Sequence, residues 1–271
     1  MKNIATLGTI FLIILPISLL SQEDNWDVYM AQYEKGPGST VINMSLKSVA
    51  PIKGFSFVLI TGVTFTDCGW DGLPTQAEFS RLYKVSDSVE RVVNKNGKAI
   101  LAGTFTYQCQ RVDYYYVNDT SNVRQLLNEM YSSSFGEYVP YINFRADTTW
   151  NVYLSFLYPN DEILDYMSNE KVVSGLQKAG DRLEKPRQVD HWIYFKNDID
   201  LNCFTSYAKQ NGFKIEESGK LDTTAPMGYK LRISRVDSVG LTTICKVTSE
   251  LRKQAKRCNG DYDGWETFVI K

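Results

Sequence analysis

Hydrophobic and polar positions follow a readable order over the last 86 residues of the chain, 186–271. Some segments place an apolar side chain at every second position, which is the period of a β-strand. Those segments are 189–195, 213–215, 227–236 and 265–270. Residues 201–208 and 241–258 repeat at spacings of three and four, which predicts amphipathic helices. The order strand, helix, strand, strand, helix, strand predicts a ferredoxin-like βαββαβ sandwich.

Residues 22–180 alternate strand and helix patterns and predict an α+β domain with a mostly antiparallel sheet and about three helices. Strands are expected at 26–33, 40–47, 54–66, 99–117 (bent or split), 141–144 and 152–156. Helices are expected to begin near 75, 121 and 161, and Thr75 with Glu78 predicts a capping box at the first. Hairpin turns are expected at 35–39 and 147–149. A polar linker around Pro186 then separates two α+β domains, 22–180 and 186–271.

The N-terminus predicts export. Lys2 is followed by the almost wholly apolar segment 4–20, and small residues up to Ser21 offer a cleavage point. We predict a signal peptide at 1–21, a periplasmic or secreted mature protein, and no membrane span after cleavage. The alternative is a retained membrane anchor, because the apolar run approaches the lower limit of ~17 residues for crossing a bilayer. Pro16 and the polar residues after the segment favour cleavage.

Composition excludes several kinds of site. The chain has 30 basic and 31 acidic residues, and removal of Lys2 leaves 29 − 31 = −2. This balance gives no global attraction for nucleic acid. His191 is the single histidine, so a histidine-rich metal site is excluded and histidine-dependent catalysis would need this residue. Its strand pattern places it on a sheet face with apolar neighbours, where a structural role is favoured. We predict no catalytic residue, no metal and no cofactor.

The five cysteines are Cys68, Cys109, Cys203, Cys245 and Cys258, and none forms a CxxC pair, which excludes zinc-ribbon and thioredoxin-like sites. Antiparallel packing of the two C-terminal helices would bring Cys203 near Cys258. Cys68 and Cys109 would pair within the N-terminal region and leave Cys245 unpaired. Export permits disulfides. The alternative is five reduced, small buried residues.

Two groups of side chains near the C-terminus are candidate binding residues. The first group lies off the apolar stripe of the last helix and suits an acidic partner or a phosphate: Arg252, Lys253, Lys256 and Arg257. The alternative for it is a solvated helix face. The second group is the acidic and aromatic terminal turn: Asp261, Tyr262, Asp263 and Trp265. Its spacing is not that of a calcium loop, and turn formation is the alternative role for its aspartates.

Three motifs in the last third of the chain carry a resemblance. They are HWIYF at 191–195, GFKI at 212–215 and GDYDGWE at 260–266. Together they resemble the regulator of ribonuclease E activity B family. The resemblance implies a non-catalytic protein that binds a ribonuclease and restrains it. Members of that family are cytoplasmic, so the predicted signal peptide departs from the family pattern.

A fourth motif, GWDGLPTQAE at 69–78, with its flanking strand and helix, resembles an α+β domain of unknown function, family 695. This resemblance extends over about residues 25–167 and implies no activity.

These observations favour an exported, non-enzymatic protein that binds or inhibits another protein, whose identity the sequence does not give. Its contact surface would be a sheet edge or helix face of the last domain, with the terminal turn. Two alternatives stay open. One is a cell-envelope hydrolase whose carboxylates converge from distant positions, and the other is a cytoplasmic ribonuclease regulator that retains residues 1–21.

Overall fold

The fold comes from a computed structural model, which describes residues 24–95, 97–221 and 226–271. Its strands are β1 (Trp26–Tyr33), β2 (Gly36–Asn43), β3 (Phe57–Thr64), β4 (Ala99–Tyr107), β5 (Gln110–Val117), β6 (Val139–Ala146), β7 (Arg187–Phe195), β8 (Lys214–Lys220), β9 (Tyr229–Asp237) and β10 (Asp261–Glu266). Its α-helices are α1 (Gln76–Lys95), α2 (Val123–Ser134), α3 (Asp161–Lys178), α4 (Asp198–Gln210) and α5 (Leu241–Arg257). A 3₁₀ helix occupies Met44–Ser48 and a π-helix Val152–Leu157. The predicted signal peptide, 1–21, lies outside the described residues.

The C-terminal sheet has the strand order β10-β7-β9-β8, and each neighbouring pair is antiparallel. Helices α4 and α5 bury their apolar stripes against one face of this sheet. The central contacts join Ile193 and Leu231 of the strands to Phe204 and Leu251 of the helices. This arrangement confirms the predicted ferredoxin-like sandwich. It leaves the other face of the sheet without a helix in the described part of the chain.

The last strand begins and ends earlier than predicted, at Asp261 and Glu266 rather than 265 and 270. The residues after Glu266 leave the strand ladder because their polar groups bind elsewhere. Thr267 donates its hydroxyl to the carbonyl of Gln188, and the backbone N–H of Ile270 donates to Asp181 Oδ2 at 2.8 Å.

The N-terminal sheet has six antiparallel strands in the order β1-β2-β4-β5-β3-β6. Helices α1 and α2 cover one face, with Leu82 and Leu127 packed in the same core as Leu59 and Tyr115. The π-helix and the first turns of α3 cover the opposite face. The predicted α+β class is confirmed, and the segment 99–117 is split into two strands by the turn at residues 108–109.

The first predicted hairpin has a shorter turn than expected. Tyr33 pairs directly with Gly36, so only residues 34–35 turn the chain, and β2 begins inside the predicted turn 35–39. Gly36 has φ 133°, a conformation that side chains rarely adopt. Glycine at this position therefore lets the strand begin four residues earlier than the predicted start at 40.

The second predicted hairpin is wrong, because residues 152–156 belong to the π-helix rather than to a strand. Asp147 explains the difference. Its carboxylate accepts the backbone N–H of Asn151 at 2.8 Å and of Val152 at 2.9 Å, as a helix cap does. The same carboxylate accepts the hydroxyl of Tyr116 at 2.6 Å, and Trp150 stacks on that tyrosine ring with centroids 3.8 Å apart.

Half of the predicted capping box forms at the start of α1. The hydroxyl of Thr75 accepts the backbone N–H of Glu78 at 3.3 Å. The Glu78 side chain does not reach back to Thr75, whose N–H donates to the carbonyl of Asp67 instead. The buried Glu78 carboxylate accepts the hydroxyl of Tyr138 at 2.7 Å, so it ties α1 to the segment before β6.

Helix α3 packs against both cores. Met167 belongs to the core beneath the six-stranded sheet, whereas Val173 and Leu176 pack with Val189 and Trp265 of the four-stranded sheet. The helix is therefore the main structural connection between the two sheets. No helix within 24–95, 97–221 and 226–271 is long and apolar enough to cross a bilayer.

The segment between α3 and β7 is closed by a buried ion pair between Arg187 and Asp181. Asp181 also accepts the backbone N–H of Leu183 at 2.7 Å, and Arg187 donates to the carbonyl of Phe268 at 3.2 Å. The Arg187 guanidinium holds the pKa of the Asp181 carboxyl well below its ordinary value. This pair fixes the C-terminal residues against the start of the sheet.

Candidate functional site

A β-bulge in β10 determines which side chains face outward at the edge of the C-terminal sheet. Tyr262 pairs with Ile193 and Trp265 pairs with His191, and the register shifts between Tyr262 and Gly264. The extra residue places both aromatic rings on the helix-covered face, although they are three positions apart. Gly264, at φ 150°, provides the backbone conformation that the bulge requires.

The opposite face of the sheet carries an aromatic pair at its centre. Trp192 and Tyr194 are half-buried and alternate along β7 with the fully buried His191 and Ile193. Because side chains alternate between the faces of a strand, this pair projects away from α4 and α5. We call this surface the open face: Asp190, Trp192, Tyr194, Glu217, Lys230, Arg232, Asp261, Asp263 and Glu266.

The cations of the open face are already paired. Lys230 lies opposite Tyr194 and binds Glu217 at 3.0 Å. Arg232 lies opposite Trp192, at 3.9 Å from Asp190 and 4.0 Å from Glu217. These partly exposed pairs contribute little to stability, but they neutralise the positive charge beside the two rings.

The carboxylates along β10 are not paired. Asp261, Asp263 and Glu266 are exposed and form no ion pair with any described residue. Asp261 lies opposite Tyr194, and Glu266 lies opposite Asp190. The β10 side of the open face therefore carries an excess of negative charge next to exposed aromatic surface.

An open cavity of about 350 Å³ lies at this edge, and we call it the β10 notch. Its lining residues are Trp192, Tyr194, Asp263, Gly264, Trp265 and Glu266. The notch thus combines aromatic ring surface with carboxylates that have no ion-pair partner among the described residues.

The predicted terminal-turn residues divide between two environments. Asp261 and Asp263 are on the outside, whereas Tyr262 and Trp265 are buried. The hydroxyl of Tyr262 is 2.9 Å from His191 Nδ1, and the indole N–H of Trp265 donates to Asn169 Oδ1 at 2.8 Å.

The predicted basic residues of α5 also divide. The Arg252 guanidinium donates to Asp165 at 3.0 Å and to the carbonyl of Tyr262 at 3.3 Å, and Lys256 pairs with Asp161. Lys253 and Arg257 are exposed and make no ion pair with the described residues. Half of the cluster therefore attaches α5 to α3 rather than facing a partner.

A second cavity, of about 290 Å³, lies between α3 and α5. It contains three carboxyl groups together with the free thiol: Asp161, Glu162, Asp165 and Cys245. Lys256 lowers the pKa of Asp161 by a hydrogen bond and by its charge. Burial raises the pKa of the Cys245 thiol, to which the amide of Asn169 donates at 3.4 Å. The lowered pKa of Asp161 is opposite to the raised pKa that a general acid requires.

His191 lies in the core and is inaccessible to solvent. Burial, with the nearby charge of Arg235, lowers the pKa of its imidazole to about 3. Nδ1 lies beside the Tyr262 hydroxyl, and Nε2 has no hydrogen-bond partner in the described structure. The neutral ring packs edge-on against Phe213, which is the environment of a structural histidine.

The structure contains two disulfides, Cys68–Cys109 and Cys203–Cys258, and leaves Cys245 as a thiol. The sequence leaves these two pairings open against five reduced cysteines, and the structure contains both bonds. Cys203–Cys258 joins the first turns of α4 to the end of α5. Cys68–Cys109 braces the loop 67–75, where the indole of Trp70 is fully exposed.

Both regions match known sequence families. Residues 167–267 match the family described as Regulator of ribonuclease activity B. Residues 24–158 match a family of unknown function, DUF695. The two resemblances are confirmed. The first match begins inside α3, so it includes the later part of that helix.

Other comparisons add no function. No curated protein matches the chain significantly. A crystal structure of an unknown protein from Galdieria sulphuraria is 13% identical, with a TM-score of 0.23 over 79% of this chain and 98% of that one. A putative glycine cleavage system transcriptional repressor is 9% identical, with a TM-score of 0.24 over the same shares. TM-scores this low do not establish a common fold.

Proposed function

We propose that this protein is an exported, non-enzymatic regulator that binds another protein through the open face and inhibits it. The observation that carries the proposal is the match of residues 167–267 to a family described as a regulator of ribonuclease activity, on a domain whose sheet has an uncovered aromatic and acidic face. Aromatic side chains with a charged surround are typical of protein-binding surfaces. An exported nuclease or toxin is the kind of target that fits.

Two features support export. Residues 1–21 have the composition of a signal peptide. The disulfides Cys68–Cys109 and Cys203–Cys258 are typical of an oxidising compartment such as the periplasm or the cell exterior. The family resemblance implies a cytoplasmic ribonuclease regulator, and mass analysis of the N-terminus separates the two locations. A native soluble protein that retains Met1 to Ser21 would favour the cytoplasmic alternative.

The test is capture of a partner from an envelope fraction, with paired variants. Trp192→Ala combined with Tyr194→Ala removes the aromatic centre of the open face. Ile199→Ala removes a side chain that is 76% exposed on α4, on the covered side of the same sheet. We expect the wild type and the Ile199 variant to capture the same partner and inhibit it, and the double variant to lose both. Absence of any reproducible partner contradicts the proposal.

The α3–α5 cavity is the observation that favours a cell-envelope hydrolase instead, because it gathers Asp161, Glu162 and Asp165. The ion pairs of Asp161 and Asp165 with α5 favour a structural role for both. Turnover of an envelope substrate that disappears in Asp165→Asn, with unchanged folding, would support the hydrolase and exclude the non-enzymatic proposal.

A further inference from the structure

We infer that the β10 notch binds one cationic side chain, an arginine or a lysine, of a basic protein partner. The inference rests on the proposed function, because it specifies the chemistry that the open face recognises. It follows from the aromatic surface, the charge and the size of the notch.

The aromatic surface suits a cation with an apolar stem. Trp192 and Tyr194 line the notch and are half-buried, so part of each ring faces solvent. A guanidinium or ammonium group over an indole or phenol ring is attracted by the negative ring face. The methylene stem of the same side chain packs on the remaining ring surface. An anionic or purely polar ligand gains neither contact.

The charge selects the same ligand. Asp263 and Glu266 line the notch, and Asp261 lies beside it, two residues before Asp263 on the same strand. None of the three has an ion-pair partner among the described residues. Asp190, opposite Glu266, is the ion-pair partner of Arg232 at 3.9 Å and lies outside the notch lining. The neighbouring cations Lys230 and Arg232 are occupied by Glu217 and Asp190. A positive group entering the notch therefore meets uncompensated carboxylates, whereas an anion is repelled.

The size of the notch is sufficient for one long side chain. A volume of about 350 Å³ is at the small end of ligand sites, which usually span roughly 300–1,000 Å³. Proteins that bind nucleic acid present arginine and lysine side chains where they hold phosphates. A nuclease would offer such a basic surface, and an acidic, aromatic-lined notch is complementary to it in charge.

The test uses three synthetic heptapeptides that differ only at the central residue: arginine, lysine or citrulline. Citrulline keeps the shape of arginine and loses its charge. Binding is followed by NMR through the indole N–H signal of Trp192, identified with Trp192→Phe. We expect the arginine and lysine peptides to shift this signal saturably at low ionic strength, and the citrulline peptide to bind at least about tenfold more weakly.

Matched variants locate the effect. Asp263→Asn with Glu266→Gln should weaken the arginine peptide at least about tenfold. Glu250→Gln removes an exposed carboxylate from α5 and should change nothing. Equal binding of citrulline and arginine, equal loss in the Glu250 variant, or absence of any shift overturns the inference. Partner capture that still depends on Trp192 and Tyr194 would then leave the proposed function standing. Peptide binding without any captured partner would contradict the proposed function and leave the cation-binding property of the notch standing.

Discussion

Trp265 of β10 donates its indole N–H to the amide oxygen of Asn169 in α3, over 2.8 Å, and this bond joins the terminal strand to the helix shared by the two sheets. The amide nitrogen of Asn169 donates in turn to Thr248 at 2.8 Å, and the Thr248 hydroxyl donates to Asp165 at 2.9 Å. All four groups are buried. A fully bonded polar chain of this kind fixes one relative position of the elements it joins.

Asn169→Ala should lower the free energy of unfolding by about 1–3 kcal/mol, because it leaves the buried indole N–H of Trp265 without an acceptor and removes the donor to the Thr248 hydroxyl. Urea unfolding followed by circular dichroism measures the change. The matched control is Ser168→Ala, an exposed neighbour on the same helix. Equal stability of the two variants would show that the chain of bonds does not hold α3 in place.

The stability of the protein should fall between pH 7 and pH 5 because of His191. Its pKa lies near 3 in the folded chain, below the ~6.5 of an unfolded histidine. The unfolded chain therefore takes up the proton first. The stabilisation is complete above pH 6.5 and is lost as the pH falls toward 3. Linkage gives a loss of about 2 kcal/mol at pH 5.

His191→Gln should remove this part of the pH dependence, since the chain has no other histidine. Urea midpoints at pH 7 and pH 5 are compared within each variant, so a change in overall stability does not affect the result. Tyr262→Phe keeps the imidazole and should retain the pH dependence while losing the bond at Nδ1. If the urea midpoint of the wild type does not change between pH 7 and pH 5, His191 is not a buried, neutral imidazole in the folded protein.

The alternation of β7 was sufficient to predict the two faces of the C-terminal sheet but not their environments. Residues 191, 193 and 195 were placed on one face, and they are the buried ones. The same period places Trp192 and Tyr194 on the other face, but it does not indicate that this face stays open. Which face stays open depends on where α4 and α5 pack, and that is a long-range contact rather than a property of the strand.

The terminal turn shows why candidate binding residues that are close in sequence lie in different environments. A strict period of two would place Tyr262 and Trp265 on opposite faces. The bulge at Gly264 places both inside and leaves the acidic side chains outside. The Asp-Gly pair at 263–264 was the available signal, and it was interpreted as a turn before a strand rather than as an irregularity within one.

Helix α3 was predicted at its observed start, but its partners were not. It carries buried polar residues, Asp165 and Asn169, beside apolar ones, because it meets polar groups of α5 as well as two apolar cores. A single amphipathic stripe therefore does not describe it. The burial of such residues is decided by a partner far along the chain, which local spacing does not contain.

Gly264→Ala should lower the free energy of unfolding by about 1–2 kcal/mol, because φ 150° is strained for any residue with a Cβ. No heavy atom lies within 4 Å of the added methyl, so the cost comes from the backbone. Gly219→Ala in β8 is the matched control. Its methyl also meets nothing within 4 Å, and its φ is not positive. Equal effects at the two positions would mean that the bulge does not depend on glycine.

The cysteine pairs can be counted directly. Native protein unfolded without reductant should expose one alkylatable thiol, Cys245, and five after reduction. Replacing Cys203 and Cys258 together by alanine should cost about 2–4 kcal/mol of stability, because the bond closes a loop across 55 sequence positions and so restricts the unfolded chain. Chemical unfolding of oxidised protein measures it, and Cys245→Ser is the control, with little change expected. Five reactive thiols in protein taken from the envelope and alkylated at once would contradict both pairings. That result would also remove one of the two supports for export.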